Sequence, residues 1–420
     1  MKKAKTLSLL TVPVLAVGML AACGPKDSGT STNTASKGDG KTLVVWEDKD
    51  KVPGLQPAVD SFEKKYGVKV TVKEIQMTDQ LKQLRLDGPA GTGPDVITLP
   101  HDQIGGAVTE GLISELKVDD SVLSKYTDVS VAAEKYQGKL YGLPKAVETA
   151  VFIYNKKLLQ NPLSTMDEVY NYAKANTKDG QYGFLAPWDN LYFAEGILGG
   201  YGGYIFDQKD GNYDATKLGL NNDGAVKGAD YIQKWYKEGL FPAGIIGEKG
   251  GAQLDGLFTS GKAASVIAGP WAFGPYKDAG IDYGVAPLPT LPNGEHIKSF
   301  IGVKGWHVTS FSKNKDLANQ FVQWVTNEEN AKIRFEKTKE IPPVKAFEND
   351  PEFTQDQGAK AVAEQAKYSV PMPNNPEMAE VWKPVGDALQ LVVTGKADSK
   401  TALDGAVKQI NTNIQTNYKK

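Results

Sequence analysis

The chain has 420 residues, with 48 Lys and Arg against 50 Asp and Glu, and a single cysteine. That length exceeds what one ordinary hydrophobic core holds and predicts two lobes. A formal charge of −2 argues against nucleic acid as a partner, and one cysteine excludes an intrachain disulfide.

At the N-terminus, Lys2, Lys3 and Lys5 precede an apolar run over 7–20, followed by Ala21 and Ala22. A charged start, a short apolar stretch and small residues form an export signal, too short for a typical membrane span. Leu20-Ala21-Ala22-Cys23 resembles the bacterial lipobox, in which the cysteine is acylated and becomes the new N-terminus. Each buried CH₂ of an acyl chain contributes about 0.8 kcal/mol, so an acylated Cys23 is expected to hold the protein at a membrane surface. Residues 23–41 carry Gly, Ser, Thr, Asn and Lys and almost no large apolar side chain. They cannot bury enough surface to fold and read as a tether behind a signal at 1–22.

The first strand is expected at Leu43-Val44-Val45-Trp46. Leu55, Val59, Phe62 and Tyr66 then recur at helical spacing until Gly67. Val68, Val70 and Val72 alternate with polar residues as a strand does. A polar helix over 80–87 and a buried strand over 96–99 follow, so the opening lobe reads as α/β with a largely parallel sheet. Residues 140–144 and 151–154 are extended, and 146–149 can carry the chain to a second lobe. That lobe is expected to hold helices over 165–175 and 225–238 and a strand over 264–267. Pro287, Pro289 and Pro292 suggest a linker returning to the first lobe. A helix from Asp316 is expected to bury Leu317, Phe321, Trp324 and Val325, and a last helix Leu403, Val407, Ile410 and Ile414. Trp306 and His307 lie in an apolar run and read as structural. Two lobes joined by several crossovers leave a cleft, a favoured place for ligands and for hinge closure.

Motifs for catalysis are scarce. The three histidines, His101, His296 and His307, fall in no metal-binding pattern, and no Gly-x-Ser-x-Gly elbow occurs. Gly40-Lys41-Thr42 ends like a phosphate loop, but Ala35 stands where its first glycine belongs. No cofactor or metal is expected. Paired carboxylates for glycoside hydrolysis stay open, because spacing alone does not exclude them. More telling are aromatic residues in polar, turn-like settings: Trp271 within 269–274, Trp188, Tyr192 and Phe193 within 187–193, and Trp382 after 372–378. Trp235 and Trp324 sit on helix stripes and read as core. Rings outside helix stripes suit sugars, whose apolar faces lie on rings while hydroxyls take charge-assisted hydrogen bonds.

Several segments in order carry a family resemblance: Val44-Val45-Trp46, Gly93-Pro94-Asp95-Val96-Ile97, His101-Asp102-Gln103-Ile104-Gly105-Gly106, Pro144-Lys145-Ala146-Val147-Glu148-Thr149, Ile153-Tyr154-Asn155-Lys156, Gly269-Pro270-Trp271-Ala272 and Met372-Pro373-Asn374-Asn375-Pro376. Together they resemble the maltose/maltodextrin-binding proteins of bacterial ABC transporters. The resemblance implies a two-lobe α/β periplasmic-binding-protein fold, type II-like, with several hinge crossovers. The lobes would comprise 42–147 plus 300–352 and 148–299 plus 353–420. It implies a monomer outside the cytoplasm, a malto-oligosaccharide ligand and an ABC permease partner.

The same resemblance makes Trp271, Trp382 and Tyr192 the rings that stack on sugar. Glu148 and Asp102 would bond hydroxyls, joined by Asp50 and Lys51, with Asp48 and Lys49 competing for that register. Asp189, Asn190 and Met372 complete the expected site. Departures from the family pattern include Leu99 where a Trp is expected, Gln103 and Gly386 for arginines, Asn190 for a glutamate and Gly251 for an aromatic. They put affinity for free maltose in doubt and favour longer or cyclic dextrins. A glycoside hydrolase, a same-fold binder of another oligosaccharide or a polyamine, and a surface adhesin are the rival readings.

Overall fold

The structure is a computed structural model that describes residues 42–209 and 212–418. The expected signal, tether and Cys23 lie outside the described residues.

The chain opens with β1 (Thr42–Glu47), α1 (Val52–Tyr66), β2 (Lys69–Glu74), α2 (Met77–Asp87) and β3 (Val96–Pro100). Pro53 at the start of α1 supplies a preset helical φ, and Gly67 ends the helix at φ 63°, a left-handed cap that glycine adopts without steric cost. Strand β1 pairs in parallel with both β2 and β3. The sheet then departs from the largely parallel expectation. The long strand β8 (Phe300–Val308) runs antiparallel to β3 and to β4 (Leu143–Thr149), and its first residues pair in parallel with β9 (Val370–Pro371). The cause is connectivity: β8 arrives from the other lobe rather than through a helical crossover, so its direction is not constrained to match.

In the second lobe, β5 (Val151–Asn155) lies between β6 (Ser265–Ala268) and β7 (Tyr283–Ala286), antiparallel to both. Helices α3 (Leu191–Gly200), α4 (Asp223–Lys237), α8 (Trp382–Val393) and α9 (Ser399–Asn417) belong to this lobe, and they pack on one another. One hydrophobic core gathers residues of 150–300 and 361–414, and two others gather residues of 43–143 and 306–359. The chain therefore passes between the lobes at the end of β4, along β8 and in α7 (Gln357–Ala366).

Two aromatic assignments change. Trp188 is fully buried, with its ring against Phe184, Trp235 and Phe241, so the turn around it presents a core residue rather than a free ring. Trp324 is only partly buried. Its indole N–H donates to the Ala58 carbonyl, which anchors α5 (Lys315–Val325) to α1 while one edge meets solvent. Trp235, Trp306 and Trp46 are buried as expected of core residues.

Candidate ligand-binding cleft

Two local devices set rings on the wall of the second lobe. After β6, Gly269-Pro270 opens a short 3₁₀ turn, Pro270–Ala272, that projects Trp271. A Cβ at Gly269 would run into the Trp271 ring, so glycine is what lets the ring lie back on its own turn. At α3, the Asn190 side chain accepts the Tyr192 N–H and caps the helix, which fixes Tyr192 and Phe193 in the first turn. The rings form a continuous string. Tyr192 lies 6.0 Å from Trp271, 5.1 Å from Phe193 and 6.1 Å from Phe300, and Phe300 lies 6.0 Å from Trp382. Most of these pairs meet edge to face, the favoured arrangement of aromatic quadrupoles. Trp271, Trp382, Tyr192 and Phe193 are each partly exposed.

Trp271, Phe193 and Trp382 line a groove of about 560 Å³. On its other side Trp382 also lines a smaller chamber of about 250 Å³, walled by Asp102, Gln103, Lys82 and Arg85. Gly251 and Gly386 line the larger groove, and no atom lies within 4 Å of where a Cβ would stand at either. The two departures from the family pattern thus leave open room beside the rings.

A charged floor is built on β1, β4 and β8. Lys145 bridges Glu47 at 2.7 Å and Glu340 at 3.1 Å, with all three side chains nearly inaccessible. Arg334, on α6 (Glu328–Thr338), is buried beside them and donates to the carbonyls of Val325 and Lys145. Burial alone would raise the Glu340 carboxyl, but Lys145, Lys304 and Arg334 outweigh it and hold it at about 2. Lys304 contacts Glu148 at 2.8 Å, and the Glu148 side chain is the more open of the two. Three carboxylates thus face three cations, the pairing that buried charges require.

Wall and floor meet at Asp102. Burial, reinforced by the Glu148 charge, raises its carboxyl to about 6, although the nearby Trp382 indole acts to lower it. The Tyr192 hydroxyl is buried without a protein partner and feels the charges of Glu148 and Asp102. A buried donor left unpaired within the field of two carboxylates is an arrangement a polyhydroxyl ligand can complete. His101 sits behind them. Its Nδ1 accepts the Val303 N–H, which leaves Nε2 to donate to the Met372 carbonyl, and burial lowers its pKa to about 4. This neutral ring ties the turn bearing Asp102 to β8 and to the second lobe. Gly105, in the next turn, has no room for a side chain against the Asn374 carbonyl.

The remaining expected residues are placed as follows. Met372 is buried at the floor, near Gly302 and Glu148. Asn190 lines the groove, but its side-chain oxygen is committed to the helix cap. Asp189 is buried and accepts the Gly247 N–H, so it braces a loop of the groove rim. Asp50 is exposed in a left-handed turn at the sheet edge, and its amide donates to Glu74. In that stretch it is Asp48 and Lys51 that turn inward. Asp48 is buried and accepts the Met77 N–H, and Lys51 stands near Glu340. Leu99 is wholly buried in the first lobe, so no ring is offered there. Reasoning from sequence missed Lys304 and Phe300. The available signal was a lysine inside the apolar run 300–308.

The chain matches the family model described as bacterial extracellular solute-binding protein over residues 57–361. It is 51% identical to the galactooligosaccharide-binding protein of Bacillus subtilis (strain 168), covering 100% of this chain and 99% of that one. It is 36% identical to the maltodextrin-binding protein MdxE of the same organism, over 99% of each chain. Among solved structures, a cyclo/maltodextrin-binding protein complexed with maltotetraose is 42% identical with a TM-score of 0.80, covering 91% of this chain and 99% of that chain.

Proposed function

This chain belongs to the bacterial extracellular solute-binding protein family, and from that premise we propose that it captures a neutral oligosaccharide between its lobes and passes it to an ABC permease. The observation that carries this reading is the ring string from Trp271 to Trp382, whose Tyr192 carries an unpartnered hydroxyl near the carboxylates of Glu148 and Asp102. Each hexose offers an apolar face to the rings and hydroxyls to the floor. Contacts from one lobe only would hold the ligand loosely. Contacts from both stabilise the closed form by their difference, which is the condition for ligand-driven closure. The closed protein is then the form that docks on the permease. Micromolar affinity corresponds to about −8 kcal/mol, within reach of a few stacked rings and several charge-assisted bonds.

Two ligand classes compete. A galactooligosaccharide is the first reading, supported by the 51% identity over the whole chain. A maltodextrin is the second, supported by the 42% identity to the maltotetraose complex. The protein works by capture and not by cleavage. It stands as a monomer on the outer face of the cell membrane, anchored through acylated Cys23.

Calorimetric titration with β-1,4-galactotetraose, maltotetraose and maltose, followed by chromatography of the sugars, tests all of this. Saturable binding, tightest for galactotetraose, with every sugar recovered intact, is the expected result. Tighter binding of maltotetraose would reverse the order of the two readings. No heat with any sugar would remove both, and shortened chains would show catalysis.

A further inference from the structure

We propose that Lys304 is the positioning residue that fixes Glu148 for its ligand, an inference resting on the oligosaccharide reading above. The placement follows from the β4–β8 ladder. Gly302 pairs with Glu148, and Lys304 pairs with Ala146. Residues opposite one another in an antiparallel pair share a face, so Lys304 and Glu148 are diagonal neighbours within reach of a long side chain. Their partners leave the space. Ala146 is small opposite the lysine stem, and a Cβ at Gly302 would stand only 3.3 Å from Glu148 Cγ.

The two side chains differ in what they can touch. Lys304 is 6% exposed, and its ammonium lies 2.8 Å from Glu148 Oε2. Glu340 and Asp48 also face that ammonium, so its charge is spent inside the protein. Glu148 is open enough to reach the cleft. A carboxylate has about four lone-pair sites, and one ammonium leaves the others for sugar hydroxyls. Lys304 therefore acts through Glu148: it restricts the rotation of the carboxylate and pairs its charge at a fixed place beside the cleft. Lys304 and Glu148 together could be replaced by apolar residues with little loss of stability, so what the pair adds is the placement of the carboxylate.

The test uses Lys304→Met, Lys304→Arg, Glu148→Gln and the Met/Gln double variant, titrated with β-1,4-galactotetraose and maltotetraose. Lys304→Met should weaken binding at least tenfold, and Lys304→Arg should stay within threefold of wild type. In the Glu148→Gln background, Lys304→Met should add less than twofold, because the carboxylate it positions is gone. Lys304→Gln, which keeps a polar head, serves if the methionine variant does not fold, and should weaken binding at least fivefold. Folded Lys304→Met or Lys304→Gln protein with wild-type affinity would overturn the proposal, as would effects of Lys304→Met and Glu148→Gln that multiply. Wild-type protein that binds neither sugar would instead overturn the oligosaccharide reading on which it rests.

Discussion

The two sides of the cleft are built on opposite economies. The wall of the second lobe is made of partly exposed rings set on short turns and helix starts, and its members touch one another edge to face. The floor of the first lobe is made of buried ions that neutralise one another across β1, β4, β8 and Glu340. A ring removed from the wall deletes contact area and leaves no charge behind. An ion removed from the floor leaves its partner charged in a place water does not reach. On the proposed reading the wall can vary with the ligand at little cost to folding, while the ion pairs of the floor must stay balanced for the lobe to fold.

The sharpest way to break this contrast is Lys145→Met. It strips Glu47 and Glu340 of their shared cation, and losing one partner of a buried pair costs about 3–5 kcal/mol. Chemical unfolding should show that loss whether or not sugar is present. A change under 1 kcal/mol would mean that the floor is not balanced as described. Trp271→Ala is the complementary case. Removing a central ring should cost about 2 kcal/mol of affinity, roughly thirtyfold in Kd. Its unfolding midpoint should lie closer to wild type than that of Lys145→Met. Equal damage to folding by both variants would erase the distinction between wall and floor.

The wall was the more legible half in the sequence, and the reason is physical. Trp271 follows Gly269-Pro270, Tyr192 follows the capping Asn190 and Trp382 opens a helix after a proline-rich turn, and such positions announce a ring that is not on a core stripe. The same signal misled at Trp188, which shares the turn of Tyr192 but points back toward Phe184 and Trp235. Two residues in one turn can face opposite ways, and no local pattern decides which faces the cleft. The floor was harder to read because its pairs are distant in sequence: Lys145 meets Glu47 and Glu340, and Lys304 meets Glu148. Only strand register brings them together. Asp50 and Asp48 differ by two positions, yet one is exposed and the other buried, because Asp50 adopts a left-handed turn that swings the chain outward. The first three strands and the first helix were plain from periodicity, whereas the helix at Leu191–Gly200 reads as a turn and the antiparallel entry of β8 depends on which lobe the chain has just left.

Acid gives the finest test, because protons reach the floor and leave the rings untouched. Asp102 has its carboxyl raised from 3.8 to about 6, first by burial and then by the Glu148 charge. As pH falls through 6 it gains a proton and ceases to be a charge-assisted acceptor for a sugar hydroxyl. Affinity should therefore fall on acidification, by up to about tenfold between pH 7 and pH 5, since one pKa unit corresponds to about 1.4 kcal/mol. Stability at this residue moves the other way. Its folded pKa lies above the unfolded one, so ionisation between those two values costs the fold, and the protonated form relieves that cost. Opposite slopes for binding and for stability over the same pH interval would mark Asp102 as a group held in an unfavourable state for its ligand. Asp102→Asn should bind more weakly at pH 7 and lose this component of the pH dependence. A wild-type Kd that stays constant from pH 7 to pH 5 would mean that Asp102 accepts nothing from the sugar, and that the floor meets its ligand through Glu148 without it.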